Sequence, residues 1–161
     1  MQGFFEQMVE RLAGGRVEYV VVGMMSGVLQ GASLVTRDLD ICYRRTPENL
    51  ARLASALRDL KPHPRGFPAN APFVFDERTL RIGCNFTLAI GDEHLDLLGE
   101  MSAIGGYDDI VGDAITVEIA GLQVRLLSLR HLIASKRAAA RPKDPAALPV
   151  LEALLEMQGP R

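Results

Sequence analysis

Apolar residues recur at helical spacing near the start of the chain, where Phe4, Phe5, Met8, Val9 and Leu12 share one face. The spacing predicts a helix over 3–13, stopped by Gly14-Gly15. Residues 17–22 form an unbroken apolar run, the signature of a buried strand, and Gly23 breaks it. A short helix fits 25–31, ending at Gly31, and a second strand fits 38–43. Thr46 is a good N-cap with Pro47 at the first helical position, and Leu50, Leu53, Ala54 and Leu57 line one face of a helix ending near Leu60. Residues 61–72 hold four prolines and one glycine and predict a loop without regular structure.

Strict alternation follows over 82–90: Ile82, Cys84, Phe86, Leu88 and Ile90 on one face, Gly83, Asn85, Thr87 and Ala89 on the other. Gly91-Asp92-Glu93 suits a turn, with a returning strand over 94–98, and Gly105-Gly106 marks another loop. A hairpin around Ala120-Gly121 joins 115–119 to 122–126. Ser128 caps a helix running to about Ala139, Arg141-Pro142-Lys143 breaks it, and Asp144 caps a last helix. The order is α, β, α, β, α, then mostly antiparallel β, then two helices. It predicts an α/β (α+β) fold, a small mixed β-sheet flanked by helices. One domain over 1–161 is expected, with C-terminal helices at about 128–158.

Composition narrows the class. Hydrophobic residues make up 48% and charged residues 24% of 161, ordinary for a globular protein. A net charge of −2 excludes a chain that is basic all over. Two cysteines, Cys42 and Cys84, make neither a disulfide framework nor a CxxC site, which suits a reduced cytoplasmic setting. No apolar run is long enough to span a membrane and no signal segment is evident, so no membrane partner is expected.

The candidate chemistry centres on Asp38-Leu39-Asp40-Ile41, which begins fifteen positions after Gly23. In a strand, residues i and i+2 share a face, so Asp38 and Asp40 project together while Leu39 and Ile41 enter the core. Adjacent carboxylates repel unless a cation lies between them, which suits divalent-metal phosphoryl chemistry. The alternative is a solvated strand edge or a pair of capping groups. Gly23, at the end of a strand and before a helix, lets a phosphate approach the backbone.

Val22-Gly23 followed by Asp38-Leu39-Asp40-Ile41 resembles the nucleotidyltransferase superfamily, whose pattern is apolar-Gly-[Gly/Ser], about nine to thirteen residues, then Asp-apolar-[Asp/Glu]-apolar. That superfamily includes the DNA polymerase beta-like fold, the minimal nucleotidyltransferases and the AbiEii-like bacterial toxins. Thr36-Arg37-Asp38 is similar to the Thr-x-Asp of these proteins, and Leu95-Asp96-Leu97 matches their third carboxylate. The helix from Ser128 to Lys136, with Arg141-Pro142-Lys143-Asp144, resembles the C-terminal part of AbiEii-like members. The likeness covers roughly residues 17–155.

The resemblance implies an enzyme that moves a nucleoside monophosphate from a nucleoside triphosphate to a hydroxyl acceptor. It implies Asp38, Asp40 and Asp96 as metal ligands and catalytic residues, and two Mg²⁺ ions as cofactors. Position 24 is Met where the family carries Gly or Ser. Either its side chain turns away and leaves the N–H contacts intact, or it closes the pocket, with Ser26 and Gly27 as partial substitutes. Closure would leave a silent binding or regulatory module, one half of a toxin–antitoxin-like pair.

Around this motif, Gly23, Met24, Ser26, Arg37 and Lys136 are the candidate nucleotide-binding residues. Lys136 lies near the middle of the apolar face formed by Leu129, Leu132, Ile133 and Ala140, so it must snorkel out or meet an anion. Arg37 either reaches the triphosphate or forms an exposed salt bridge. His94 shares a face with Asp96; it orients that carboxylate, contacts substrate, or is an ordinary strand histidine. His63 and His131 show no metal-ligand spacing with it. Six basic residues from Arg125 to Lys143, with no acidic one, form either a solvated helix face or a contact for RNA. The acceptor is open between a small compound, a protein side chain and a tRNA end. The small size leaves room for a homodimer or a protein partner to complete the site.

Overall fold

The computed structural model describes residues 2–139 and 144–159, with the backbone alone for Asp144 and Pro145. The expected break at Arg141-Pro142-Lys143, and Ala140 of the helical face, lie outside the described residues. The elements are α1 (Phe4–Gly14), β1 (Tyr19–Val22), α2 (Gly23–Leu29), β2 (Leu39–Tyr43), α3 (Pro47–Leu57), β3 (His63–Pro64), α4 (Glu77–Ile82), β4 (Asn85–Ile90), β5 (Glu93–Leu98), β6 (Glu100–Met101), β7 (Gly105–Gly106), α5 (Tyr107–Ile110), β8 (Ile115–Ile119), β9 (Leu122–Leu126), α6 (Leu129–Ala139) and α7 (Asp144–Gln158).

Seven strands form one mixed sheet in the order β3-β4-β5-β2-β1-β9-β8. β1 runs antiparallel to β2, and β2 runs parallel to β5. Helices cover both faces. Val21, Leu39, Ile41, Leu95 and Leu97 pack with Met8 and Leu12 of α1 and Leu50 and Leu53 of α3. Val20, Val22 and Cys42 pack on the other face with Leu129, Leu132 and Ile133 of α6 and Leu151 of α7. Leu39 and Ile41 are fully buried, each stabilising the fold by roughly 1.5–3 kcal/mol, and this locks the face on which Asp40 must emerge.

Asn49 ties the start of β1 to the end of β2. It is fully buried; its Oδ1 accepts from the Glu18 N–H at 2.7 Å, and its Nδ2 donates to the carbonyls of Glu18 and Arg44 at 2.9 and 2.8 Å. Thr46 caps α3, accepting from the Asn49 N–H, and Ser128 accepts from the His131 N–H at the start of α6. In the β8–β9 turn Ala120 and Gly121 both take positive φ.

Several expectations are corrected. Helix α4 precedes the alternating strand, capped by Asp76 accepting from the Thr79 N–H. Ile82 therefore ends a helix and is largely exposed, and β4 begins only at Asn85. The proline-rich loop contains the edge strand β3, where a proline costs no inner ladder bond. Gly105-Gly106 is not a plain loop, since it pairs with Glu100-Met101 as a two-stranded ribbon leading into α5.

Candidate active site

Three strands build the site, at the end of β1, the start of β2 and the middle of β5. In the ladders Val22 lies opposite Asp40, and Asp40 lies opposite Asp96. Gly23 follows at once, with φ +64, and a Cβ there would sit 2.2 Å from Asp40 Oδ2. Only glycine gives the Asp40 carboxylate this room and the backbone this turn. Asp38 stands one residue before β2 and is exposed.

The carboxylates are poorly compensated. Burial first, then the charges of Asp96 and Asp38, push the Asp40 carboxyl up to about 6, against the opposing pull of Lys136 and Arg65. Asp40 Oδ1 and Asp96 Oδ1 are both buried without a hydrogen-bond partner. Arg65 lies 2.8 Å from Asp96 Oδ1 as an ion pair, but outside hydrogen-bond geometry. Its Nη1 instead donates to the Leu88 carbonyl at 2.7 Å. Asp38 faces His94, with Nδ1 3.1 Å from Oδ1.

A cleft of about 490 Å³ opens over Val22, Gly23 and Asp40. Lys136 and Ser135 of α6 wall one side; Asn85, Glu100 and Ser102 wall another. Asn85 Nδ2 donates to the Glu100 carbonyl, and its Oδ1 accepts from the N–H groups of Gly99 and Glu100. The start of the β6–β7 ribbon is thereby fastened to the cleft.

The predicted residues separate into groups. Gly23, Asp40 and Lys136 meet in the cleft, with Asp96 beside Asp40. Met24 is half-buried and does not line it. Ser26 does not line it either: it is fully buried and its Oγ donates to the Gly23 carbonyl at 2.7 Å, securing the turn rather than facing a ligand. Arg37 is exposed, outside the cleft lining. His94 touches Asp38, not Asp96.

The basic run also divides. Arg137 pairs with Glu152 of α7 at 2.7 Å, and Arg125 donates to the Tyr107 hydroxyl, so neither belongs to a continuous phosphate-binding tract. Arg141 and Lys143 lie outside the described residues. Sequence reasoning missed Arg65, Asn85 and Glu100 as neighbours of the site. Asn85 had a signal in its place on the polar face of an alternating strand; Arg65, in a stretch of prolines, had none.

Among the described residues no three His, Cys, Asp or Glu side chains converge as a ready-made metal cage. The donor set still fits Mg²⁺, which takes one or two carboxylates and completes its octahedron with water and substrate phosphates. Two orphaned carboxylate oxygens on neighbouring strands are hard donors of the kind it prefers.

No protein-family model matches the chain, and no curated protein matches it. Solved structures do. The solution structure of the antibiotic-resistance factor ANT(2'')-Ia matches over 96% of this chain and 82% of that one, with TM-score 0.60 and 15% identity. The crystal structure of ANT(2'')-Ia in complex with adenylyl-2''-tobramycin matches over 94% and 87%, with TM-score 0.59 and 16% identity. A candidate nucleotidyltransferase from Thermotoga maritima matches over 89% and 87%, with TM-score 0.56 and 17% identity. The chain has the nucleotidyltransferase fold.

Proposed function

We propose that the protein transfers a nucleoside monophosphate from a nucleoside triphosphate to a hydroxyl acceptor. The observation that carries this reading is the Asp40–Asp96 pair, largely buried, in register, short of hydrogen bonds and abutting Gly23. Asp40 and Asp96, with Asp38 at the rim, would hold Mg²⁺. When bound, Mg²⁺ supplies charge neutralisation of the triphosphate and lowers the pKa of an acceptor hydroxyl. Lys136 sits in the cleft, where an ammonium group draws the triphosphate toward Asp40. The backbone of Gly23, with no side chain to bar it, lets a phosphate approach the start of α2. Asp96 would serve as a further ligand of the cation or as the base that takes the acceptor proton, and Ser26 acts through the Gly23 carbonyl. The adenylyl product held by ANT(2'')-Ia supports transfer of this type. Met24 lies outside the cleft lining, which favours an open nucleotide site over a silent binding module.

Calorimetry of nucleoside triphosphate binding, with and without Mg²⁺, tests the reading on the wild type and on Asp38→Ala/Asp40→Ala. Metal-dependent binding that the double variant loses is the expected result. A folded wild type that binds no triphosphate would remove the proposal.

A further inference from the structure

Asp96 carries an unusual partner. Arg65 follows β3 and its backbone N–H bonds the Thr87 carbonyl; Thr87 in turn lies opposite Asp96. That ladder places the guanidinium 2.8 Å from Asp96 Oδ1, both side chains about three-quarters buried. The contact is ionic without being a hydrogen bond: Nη1 donates to the Leu88 carbonyl, and Asp96 Oδ1 is left without a hydrogen-bond partner. Arg65 thus supplies charge to Asp96 but does not satisfy its oxygen. A divalent cation would do both, since carboxylate oxygens are its preferred ligands and it carries twice the charge.

We propose that Arg65 is an internal counter-ion, a positioning residue that holds Asp96 Oδ1 in the cation-free protein and yields that oxygen when a divalent cation binds the Asp40–Asp96 pair. The inference rests on the metal reading given above. It explains how two largely buried carboxylates on adjacent strands stay side by side before a cation arrives: Arg65 and Lys136 offset part of their repulsion. It also makes the cation compete with a group fixed to the same sheet.

The test is a Mn²⁺ titration of the full chain, read by electron paramagnetic resonance of free and bound Mn²⁺. Wild type, Arg65→Gln, Asp96→Asn and the double variant are compared. Arg65→Gln should bind Mn²⁺ about tenfold more tightly, because a positive charge that competes with the cation for Asp96 is removed. With Asp96 replaced by Asn, the gain from Arg65→Gln should shrink, leaving only the part that the Arg65 charge exerts on Asp40. An Arg65→Gln affinity within twofold of wild type, or weaker, overturns the inference. A folded wild type that binds no Mn²⁺ overturns the metal reading itself, so the two failures are distinct. Should Arg65→Gln not fold, the Arg65 Nε–Hε resonance of the wild type decides. It should move on Mg²⁺ saturation in the wild type but not in Asp96→Asn; a resonance that stays in place overturns the inference.

Discussion

Asp40→Asn should stabilise the cation-free protein at neutral pH while abolishing its metal site. The Asp40 carboxyl is raised to about 6 from 3.8, chiefly by burial and then by Asp96 and Asp38. A raised carboxyl binds more protons folded than unfolded, so ionising it costs stability. The cost accumulates as pH rises from about 4 to about 6 and is constant above that. Raising a carboxyl this far corresponds to roughly 3 kcal/mol. Asn keeps the side chain's shape beside Gly23 and cannot ionise. For a chain of this size the full effect is a rise in Tm of about 6–12 °C, with the attraction of Lys136 and Arg65 for Asp40 already contained in the shift. The assay is thermal unfolding with a chelator present, at pH 8 and at pH 4. A gain at pH 8 that shrinks to below about 1 kcal/mol at pH 4 supports the electrostatic account. A variant less stable than wild type at pH 8, or a gain equal at both pH values, refutes it.

Gly23→Ala should destabilise by about 2–4 kcal/mol in urea unfolding and lose nucleotide binding, because its Cβ would strike Asp40 at a positive φ. Asn49→Ala should cost about 2–4 kcal/mol in the same assay, leaving the Glu18 N–H and the Arg44 carbonyl without this partner away from the cleft, while the Glu18 carbonyl keeps the Arg44 N–H. Divalent-cation affinity, by calorimetry, should fall steadily as pH drops below about 6, where Asp40 takes up its proton, and level off above. Lys136→Met should weaken triphosphate binding about tenfold with little change in fold, as Lys136 is only half-buried on α6.

Much of the fold is legible where one physical rule dominates. Alternation around Asp38-Leu39-Asp40-Ile41 places the apolar pair inside, and β2 buries both. Thr46, Ser128 and Ala120-Gly121 sit where cap and turn chemistry put them. Alternation alone makes the strand at 82–90 too long because Ile82 continues the pattern by coincidence, while the Asp76 cap upstream commits it to a helix. Asp38 itself stands just outside the ladder, so its side chain turns to His94 instead of staying with Asp40. Arg65 is invisible for a different reason. Its meaning depends on which strand lies next to β4 in the sheet, and no local pattern encodes that neighbour.

The parallel pairing of β2 with β5 has a consequence for how the molecule is made. Asp40 and Asp96 are register partners although 55 intervening residues separate them, and β5 is an interior strand flanked by β4 and β2. Closing so long a loop is entropically slow, so contacts near in sequence, such as the β4–β5 hairpin, precede it during folding. A nascent chain that has emerged only as far as β4 contains Gly23 and Asp38-Leu39-Asp40 but lacks the Asp40–Asp96 pair. The two carboxylates meet at a late step, when β5 docks, bringing like charges together as the sheet completes. Divalent cations, which relieve that repulsion only once the pair has formed, should chiefly slow unfolding.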